Sequence, residues 1–311
     1  MTNSRTLFSP LRYPGSKRGL VDYISQAIEL NTLKPSLYIE PFVGGGSVAI
    51  NLLNRNLVEK VLIADLDPWI TSFWQTVFFD TQWLIDQVKT MEVSMENWHT
   101  YKKSKPTTIR DQALTCVFLN RTSFSGILEK RAGPIGGKEQ ASDYPIDCRF
   151  TEKTRKTIID RIVKISQYQH RIYGIWNCSW ECAIRKIKVD QDNGKSPKSN
   201  LFLYLDPPFF EKASSLYRFY FLEEDHKALR DFLISLEDKW LLSYDSASQV
   251  EALYGDALKK GTNGTQHHDI ELLYTVARIS KRKRGKEVII SNLERLPALP
   301  AINPNGNNEE K

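Results

Sequence analysis

The amino-acid sequence contains, at residues 36–53, the run SLYIEPFVGGGSVAINLL. Its first part is apolar and ends in the acid Glu40, three glycines come soon after, and a helical pattern of apolar residues begins after Ser47. This order is typical of a strand, a tight turn and a helix. A second apolar run at residues 60–64 leads into Asp65. We therefore predict two strands that finish at acidic side chains.

The remaining apolar runs predict an α/β fold. Further strands are expected at residues 201–205, 240–244, 272–277 and 287–291, with a helix at about 225–237. Strands that alternate with helices indicate a parallel, doubly wound sheet, whose ligands bind at the carboxyl ends of the strands. Glu40 and Asp65 are both expected at such ends.

The middle of the chain differs from its two ends. Across residues 68–199 the strand signal weakens and amphipathic helical patterns prevail. We predict a mainly helical insertion there, within a sheet-containing domain made of residues 1–67 and 200–296. The polar tail at 297–311 is predicted to be disordered.

Basic residues are concentrated in the same region. Residues 101–200 contain 20 Lys and Arg against 10 Asp and Glu, whereas the whole chain has a formal net charge of +6. A basic region beside a mildly acidic remainder suits binding to a polyanion such as nucleic acid. A solvated basic face without a partner would show the same excess.

The composition disfavours several classes of protein. No run approaches the roughly 20 apolar residues of a membrane helix, and residues 1–7 lack the apolar segment of a signal peptide, so a cytoplasmic protein is expected. Four cysteines are too few for a disulfide framework in 311 residues. Cys178 and Cys182 lack a second pair at zinc-ligand spacing. His267 and His268 are expected in a surface loop rather than in a metal site.

The three glycines suit a nucleotide-like ligand, because glycine lets a backbone approach a ligand closely. Their spacing does not match the dinucleotide pattern G-x-G-x-x-G, and no G-K-[ST] phosphate loop is present, which disfavours NAD and ATP. Glu40 can pair with the ammonium group of an amino acid, and Asp65 can accept hydrogen bonds from ribose hydroxyls. A ligand that carries both groups is therefore expected.

The most specific motif is Asp206-Pro207-Pro208-Phe209, at the end of the predicted strand 201–205. The prolines stiffen the strand end, so that Asp206 and the Pro207 carbonyl can accept hydrogen bonds from an exocyclic amine. Such bonds favour a pyramidal nitrogen whose lone pair faces an incoming methyl group, while Phe209 stacks on the base. An aspartate that caps a helix before a proline turn is the alternative interpretation.

Together these motifs resemble the Dam-type, class alpha adenine-N6 DNA methyltransferases. The resemblance extends over roughly residues 8–295 and rests on four segments in the family's order: LRYPGSK at 11–17, YIEPFVGGGS at 38–47, FLNR at 118–121 and DPPF at 206–209. It implies a Rossmann-like S-adenosylmethionine-dependent methyltransferase sheet with an inserted, mainly helical target-recognition domain. It also implies methyl transfer from S-adenosyl-L-methionine to the N6 amine of a flipped adenine in double-stranded DNA.

The resemblance implies roles for individual residues. The expected catalytic residues are Asp206, Pro207, Pro208 and Phe209. The expected cofactor-binding residues are Tyr13, Lys17, Glu40, Phe42, Gly44, Gly46, Asp65 and Asp206. The family carries a DNA-entering hairpin after its N-R pair, so the expected DNA-binding residues are Asn120, Arg121, Phe124, Lys130 and Arg131. Phe124 is either an intercalating wedge or an ordinary core aromatic.

The chain departs from the family pattern in two places. Phe209 replaces the usual tyrosine but keeps a stacking ring, and residues 122–131 do not match closely, so the recognised DNA sequence does not follow. A basic run at 281–286 either contacts DNA phosphates or forms a solvated hairpin turn. A cognate restriction endonuclease is a further expected partner. The alternatives are an enzyme acting on RNA adenine or cytosine N4, a non-catalytic DNA-binding protein on the same fold, and a nicotinamide-dependent dehydrogenase.

Overall fold

The computed structural model describes residues 6–198, 200–210, 213–245, 248–261, 264–273 and 284–298. The helices are α1 Val21–Leu30, α2 Ser47–Asn54, α3 Pro68–Phe79, α4 Thr81–Thr90, α5 Met95–Lys103, α6 Ile109–Thr122, α7 Glu152–Ser166, α8 Trp180–Asp192, α9 Ala213–Leu216, α10 Glu223–Ser235 and α11 Ser248–Lys260. The strands are β1 Leu37–Glu40, β2 Lys60–Asp65, β3 Ile172–Asn177, β4 Leu201–Leu205, β5 Lys239–Asp245, β6 Gln266–Leu273 and β7 Arg284–Ser291. Apart from residues 297 and 298, the tail predicted to be disordered lies outside the described residues, as does the first half of the basic run at 281–286.

The seven strands form one sheet in the order β3-β2-β1-β4-β5-β7-β6. β1 pairs in parallel with β2 and β4, and β4 pairs in parallel with β5, whereas β7 runs antiparallel to β5 and β6. The chain builds β2 and β3 on one side of β1 and then crosses to β4 on the other side. Such a switch point opens a crevice at the carboxyl ends of the strands. The predicted α/β, Rossmann-like sheet is therefore confirmed.

Apolar layers cover both faces of this sheet. In β1, Tyr38 packs with residues of α1, α2 and α3, whereas Leu37 and Ile39 pack on the opposite face with residues of α8 and α10. Strands that are buried on both faces are apolar at successive positions, as in parallel sheets generally. This explains why β1, β2 and β4 were predicted from uninterrupted apolar runs.

The middle of the chain contains a strand that the sequence pattern did not predict. β3 pairs in parallel with β2, so residues 172–177 belong to the sheet although they lie within the range 68–199. The signal was weak because Gly174 interrupts the strand and Ile175 is its one buried residue. The other described elements from α3 to α8 are helical, apart from short 3-10 turns. The exact division into catalytic domain and insertion stays a prediction.

The last strands also differ from the prediction. β6 begins at Gln266, earlier than the strand predicted at 272–277, of which residues 274–277 lie outside the described residues. His267 and His268 therefore lie in a strand rather than in a loop, and His268 Nδ1 is 3.0 Å from the Tyr23 hydroxyl. Among the described residues there is no cluster of three or more side chains suited to a metal ion. None of the helices in that part of the chain is long and apolar enough to span a membrane.

Candidate active site

A cleft lies at the carboxyl ends of β1, β2 and β4. Its lining includes the turn between β1 and α2, the acidic ends of β1 and β2, the residue after β4, and the segment at 217–221. All the predicted cofactor-binding residues line this cleft: Tyr13, Lys17, Glu40, Phe42, Gly44, Gly46, Asp65 and Asp206. The structure thus brings together residues that are up to 193 positions apart in the chain.

The glycine turn is tightly packed beneath aromatic rings. Gly44 and Gly46 have φ angles of 41° and 63°. A Cβ atom would lie 2.5 Å from Cε1 of Tyr13 if added at Gly44, and 2.5 Å from Cζ2 of Trp74 if added at Gly46. Glycine is required here for both the backbone conformation and the close approach. The Trp74 indole donates a hydrogen bond of 3.0 Å to the Gly44 carbonyl, which fixes the turn at the start of α2.

Glu40 provides a buried acid at the end of β1, where its side chain borders the cleft and the residue is 3% exposed. Its Oε2 atom accepts hydrogen bonds from the Tyr38 hydroxyl at 2.8 Å and from the Ala49 amide at 3.0 Å. Burial raises the pKa of Glu40 to about 8, although these hydrogen bonds oppose the shift. A cationic group in the cleft would favour the ionised carboxylate.

Asp65 provides a second acid at the end of β2. Its Oδ2 atom accepts the Gly44 amide and its Oδ1 atom accepts the Asp67 amide, both at 2.9 Å. Burial and the neighbouring Asp67 carboxylate raise the pKa of Asp65 to about 7. The two backbone amides hold the carboxylate in one orientation at the edge of the cleft.

Asp206 follows β4 directly, at the switch point of the sheet. Its Oδ1 atom lies 2.9 Å from Nζ of Lys17 and accepts a hydrogen bond of 3.1 Å from the Ser243 hydroxyl. Burial raises the pKa of Asp206, and Lys17 opposes that shift. Both contacts use Oδ1, which leaves Oδ2 as the oxygen for a ligand. No helix begins in residues 206–210, so the alternative interpretation of Asp206 as a helix cap is wrong.

The aromatic ring of Phe209 packs against the segment LRYPGSK at residues 11–17. Nζ of Lys17 lies 5.0 Å from its centroid, and the Tyr217 ring meets it edge-on at 5.9 Å. A Cβ atom at Gly15 would lie 2.9 Å from Cζ of Phe209. Tyr217 also stacks on Tyr13, with centroids 5.9 Å apart, so the rings of Tyr13, Tyr217 and Phe209 form one group, of which Tyr13 and Tyr217 line the cleft.

The segment YRFYF at residues 217–221 also lines the cleft, although the sequence analysis did not predict its involvement. Nη1 of Arg218 lies 2.6 Å from Oδ1 of Asp67, and its guanidinium lies 3.5 Å from the centre of the Trp69 ring. The Phe221 ring contacts Phe42 edge-on at 5.6 Å. The four aromatic residues at 217–221, soon after the D-P-P-F motif, are the feature of the sequence that could have indicated that this segment belongs to the site.

Two of the predicted DNA-binding residues, Asn120 and Arg121, are buried, and their side chains hydrogen-bond to the backbone. We call such residues braces. The Asn120 amide group donates to the carbonyls of Arg12 and Gly126 at 2.7 and 3.0 Å, and its oxygen accepts the Arg12 amide at 2.8 Å. Arg121 is 7% exposed and donates to the Pro10 carbonyl. Burial lowers the pKa of Arg121 to about 9. These contacts argue against the direct DNA contact that was predicted for both residues, since their polar groups bind the chain itself.

Phe124, in contrast to these two buried residues, lies on the surface, in the turn at residues 124–126. Its side chain is 64% exposed, so the interpretation as a core aromatic is wrong. Ser125 and Gly126 have φ angles of 55° and 75°, and a Cβ atom at Gly126 would lie 2.2 Å from the Arg12 carbonyl oxygen. The turn therefore depends on glycine and on the backbone at Arg12.

Lys130 and Arg131, the remaining predicted DNA-binding residues, are exposed near this turn. The Arg131 guanidinium contacts the Ser214 carbonyl and lies 3.5 Å from the Glu129 carboxylate. Phe124 and Arg131 border the same open hollow of the surface. An aromatic and two cations thus share one exposed region.

Comparison with known proteins finds both a protein family and a curated relative. A family model described as D12 class N6 adenine-specific DNA methyltransferase matches residues 13–173, about half of the chain. The Type II methyltransferase M.MjaIII of Methanocaldococcus jannaschii is 26% identical over 133 residues, which are 38% of this chain and 46% of that protein. The chain therefore spans about half the length of this curated relative. The D-P-P-F motif lies beyond the range of the family match.

Proposed function

This chain belongs to the D12 class N6 adenine-specific DNA methyltransferase family, and from that membership we propose that it methylates N6 of adenine in double-stranded DNA with S-adenosyl-L-methionine as the methyl donor. One observation carries the proposal: Glu40, Asp65 and Asp206 meet in one cleft at the ends of three neighbouring strands. The three acids give the cleft separate places for an ammonium group, a sugar and an exocyclic amine.

The residues of the cleft fit S-adenosyl-L-methionine. The Glu40 carboxylate suits the ammonium group of the methionine part, and its raised pKa reflects its burial and the nearby Asp206 and Asp65. Asp65, held by two amides, suits the ribose hydroxyls. Phe42 adds an apolar wall. Bound in this cleft, the cofactor would supply a sulfonium methyl group whose bonding electron pair stays on sulfur when the amine nitrogen forms its new bond to carbon.

The residues around Asp206 suit an amine that must act as a nucleophile. Oδ2 of Asp206 and the Pro207 carbonyl accept one hydrogen bond each from the amine, which localises the nitrogen lone pair. Lys17 and Ser243 fix the orientation of the carboxylate through Oδ1. After transfer, the surplus proton of the nitrogen leaves to Asp206 or to water. The protein's contribution is mainly position and exclusion of water.

A target adenine has to leave the double helix to reach this cleft, because its amine is paired and stacked within the duplex. Tyr217 offers an aromatic surface in the cleft, and the Phe209 ring lies next to it. We propose that they hold the flipped base. Phe124, exposed on its braced turn, would fill the gap in the base stack.

Arginine residues near the Phe124 turn support the proposal that the substrate is DNA. Burial lowers the pKa of Arg12, and the positive charge of Arg149 lowers it further. Nη1 of Arg12 has no hydrogen-bond partner among the described residues. Nη1 is buried here, and a phosphate that reached it when the side chain became exposed would supply both charge and a hydrogen bond. The backbone of Arg12 itself supports the Phe124 turn.

The transfer of labelled methyl groups tests this proposal. The protein is incubated with S-adenosyl-L-methionine labelled in its methyl group and with unmethylated duplex DNA, single-stranded DNA or RNA. We expect label in duplex DNA. Label in RNA alone would favour an RNA methyltransferase, and cofactor binding without transfer to any polymer would favour a non-catalytic DNA-binding protein. A cognate endonuclease and a cytoplasmic location stay predictions from the sequence.

A further inference from the structure

Glu287 is a fully buried acid that the proposed chemistry does not yet use. It lies on β7, and the next residue on the same face of that strand, Ile289, is a buried apolar residue. Neither carboxylate oxygen of Glu287 has a well-aligned hydrogen bond within the described residues. A buried carboxylate in such surroundings is destabilising when it is ionised. The fold alone therefore gives no reason for an acid at this position.

The one ion pair of Glu287 in the described part of the chain leads to the centre of the cleft. Its Oε1 atom lies 3.3 Å from Nζ of Lys17, which in turn lies 2.9 Å from Oδ1 of Asp206. Nζ also donates to the Gly15 carbonyl at 3.3 Å. The contact with Glu287 is an ion pair without hydrogen-bond geometry, whereas the Gly15 carbonyl accepts a hydrogen bond from the same ammonium group. The position of Lys17 is therefore set by the balance between the two carboxyl groups and one carbonyl.

We infer that Glu287 is a positioning residue for the methyl transfer: in its neutral form it holds Lys17 on Oδ1 of Asp206, and on ionising it draws Lys17 away from Asp206. This inference rests on the proposed function. Lys17 on Oδ1 leaves Oδ2 of Asp206 for the target amine. A displaced Lys17 would leave the Asp206 carboxylate less well oriented.

The charges around Glu287 set the direction of this effect. Burial raises the pKa of Glu287 to about 8, Lys17 opposes the shift, and Asp206 and Asp245 add to it. Near neutral pH the protonated, neutral form of Glu287 prevails, and the positive charge of Lys17 is compensated by the negative charge of Asp206. Ionisation of Glu287 adds an uncompensated negative charge to a buried site, so we expect turnover to fall as pH rises through about 8.

Among the described residues, the other titratable groups that interact with this cluster are Glu40 and the tyrosines Tyr13, Tyr38, Tyr204, Tyr217 and Tyr244. Burial raises the pKa of each of these tyrosines above the ordinary value, so they remain neutral over this pH range. Glu40 ionises in the same range as Glu287, since its pKa is also raised to about 8. It faces the place proposed for the cofactor, however, so its ionisation acts on the KM for the cofactor. Measuring kcat at saturating cofactor separates the two acids.

The test compares the pH dependence of kcat in four proteins: the unsubstituted chain, Glu287→Gln, Glu287→Ala and Ile289→Val. For the unsubstituted chain we expect kcat to fall with a midpoint near pH 8. Glu287→Gln, which mimics the neutral acid, should keep the neutral-pH rate and lose that fall. Glu287→Ala removes the contact to Lys17 and should lower kcat at every pH by about tenfold or more, with little change in the KM for the cofactor.

Ile289→Val is the matched control, because it removes one buried methylene group from the same face of β7 without touching Lys17. It should lower the melting temperature slightly and retain the pH profile of the unsubstituted chain. Parallel profiles for Glu287→Gln and the unsubstituted chain would overturn the inference, and so would an unsubstituted chain without any fall near pH 8.

A second measurement does not depend on activity. The pKa of Glu287 is raised from 4.5 to about 8 in the folded state, so the stability that it contributes is complete below about pH 4.5 and is lost as pH rises through about 8. The melting temperature of Glu287→Gln should therefore rise relative to that of the unsubstituted chain between about pH 5 and about pH 9. A constant difference would contradict the inference. If no variant transfers methyl groups, the proposed function fails, while this comparison still decides how Glu287 ionises.

Discussion

The glycine turn at 44–46 and the turn at 124–126 have similar backbones and opposite exposure. Both rely on positive φ angles and on a glycine whose Cβ position is occupied by a neighbour. At the first turn the buried residues around it are the proposed ligand-binding groups. At the second turn the buried residue Asn120 is a brace, and the exposed Phe124 is the proposed contact. The burial of a motif residue in the structure therefore has to be known before a role in ligand or DNA binding is assigned to it.

The largest effect is expected from Asp206→Ala. It removes the acceptor for the target amine and also leaves Lys17 buried beside Glu287 alone, so kcat should fall by about a thousandfold or more. Binding to duplex DNA should change little, because the exposed turn is untouched. Single-turnover methylation and fluorescence anisotropy measure the two properties. An Asp206→Ala protein with near-normal turnover would remove Asp206 from the proposed chemistry.

Asn120→Ala tests the brace at the second turn. Three hydrogen bonds to Arg12 and Gly126 would be lost, and their buried backbone groups would be left without partners, so the free energy of unfolding should fall by about 3 kcal/mol. Urea denaturation measures the change. A loss of DNA affinity without any loss of stability would instead restore the direct DNA contact that was first predicted for Asn120.

Phe124→Ala tests the exposed side of the same turn. Loss of the wedge should lower kcat/KM on duplex DNA by about ten- to a hundredfold, while the free energy of unfolding should change by less than about 0.5 kcal/mol. Phe79→Ala is a suitable control, because Phe79 is 55% exposed and ends α3, far from the cleft at which that helix begins. Equal activity of the two variants would contradict the role proposed for Phe124.

The acids of the cleft predict a pH dependence of cofactor binding. The pKa values of Glu40 and Asp65 are raised to about 8 and about 7, and an ammonium group binds the ionised form of Glu40. The KM for S-adenosyl-L-methionine should therefore decrease by up to about tenfold as pH rises from about 6 to about 7.5. Initial rates at saturating DNA give this KM. Glu40→Gln should raise the KM and flatten its pH dependence, and an unchanged profile would exclude Glu40 as the partner of the ammonium group.

The smallest effect is expected from Phe209→Tyr. The ring that faces Lys17 and Tyr217 is retained, so kcat should stay within about threefold of that of the unsubstituted chain. Phe209→Ala removes the ring and serves as the comparison, with a clear loss of kcat. Similar losses in both variants would mean that the site rejects a hydroxyl group rather than requires a stacking ring.

The fold, and the acids at the strand ends that border the cleft, could be predicted from short stretches of sequence. β1, β2 and β4 consist mainly of apolar residues because both faces are buried, and an acid that borders the cleft ends β1 and β2 and directly follows β4. β3 was missed because it is partly exposed and contains Gly174. The periodicity of a single segment could not indicate that this strand pairs with β2.

The rest of the site depends on contacts between distant parts of the chain. Glu287 reaches Lys17 only because β7 is inserted beside β5, and Arg218 reaches Asp67 only because the segment at 217–221 folds back over the cleft. Asn120 and Arg121 were assigned to DNA because the family's hairpin follows them in sequence. Their burial was not visible in that pattern, since it depends on packing against residues 10–12.

Mass spectrometry of nucleosides from unmethylated duplex DNA that has been incubated with the protein and S-adenosyl-L-methionine tests the central claim most directly. The chemistry proposed for Asp206 predicts that N6-methyl-2′-deoxyadenosine accumulates with time, and that it does not accumulate with Asp206→Ala. Accumulation of N4-methyl-2′-deoxycytidine in its place, or of no methylated nucleoside although the cofactor binds, would contradict the claim.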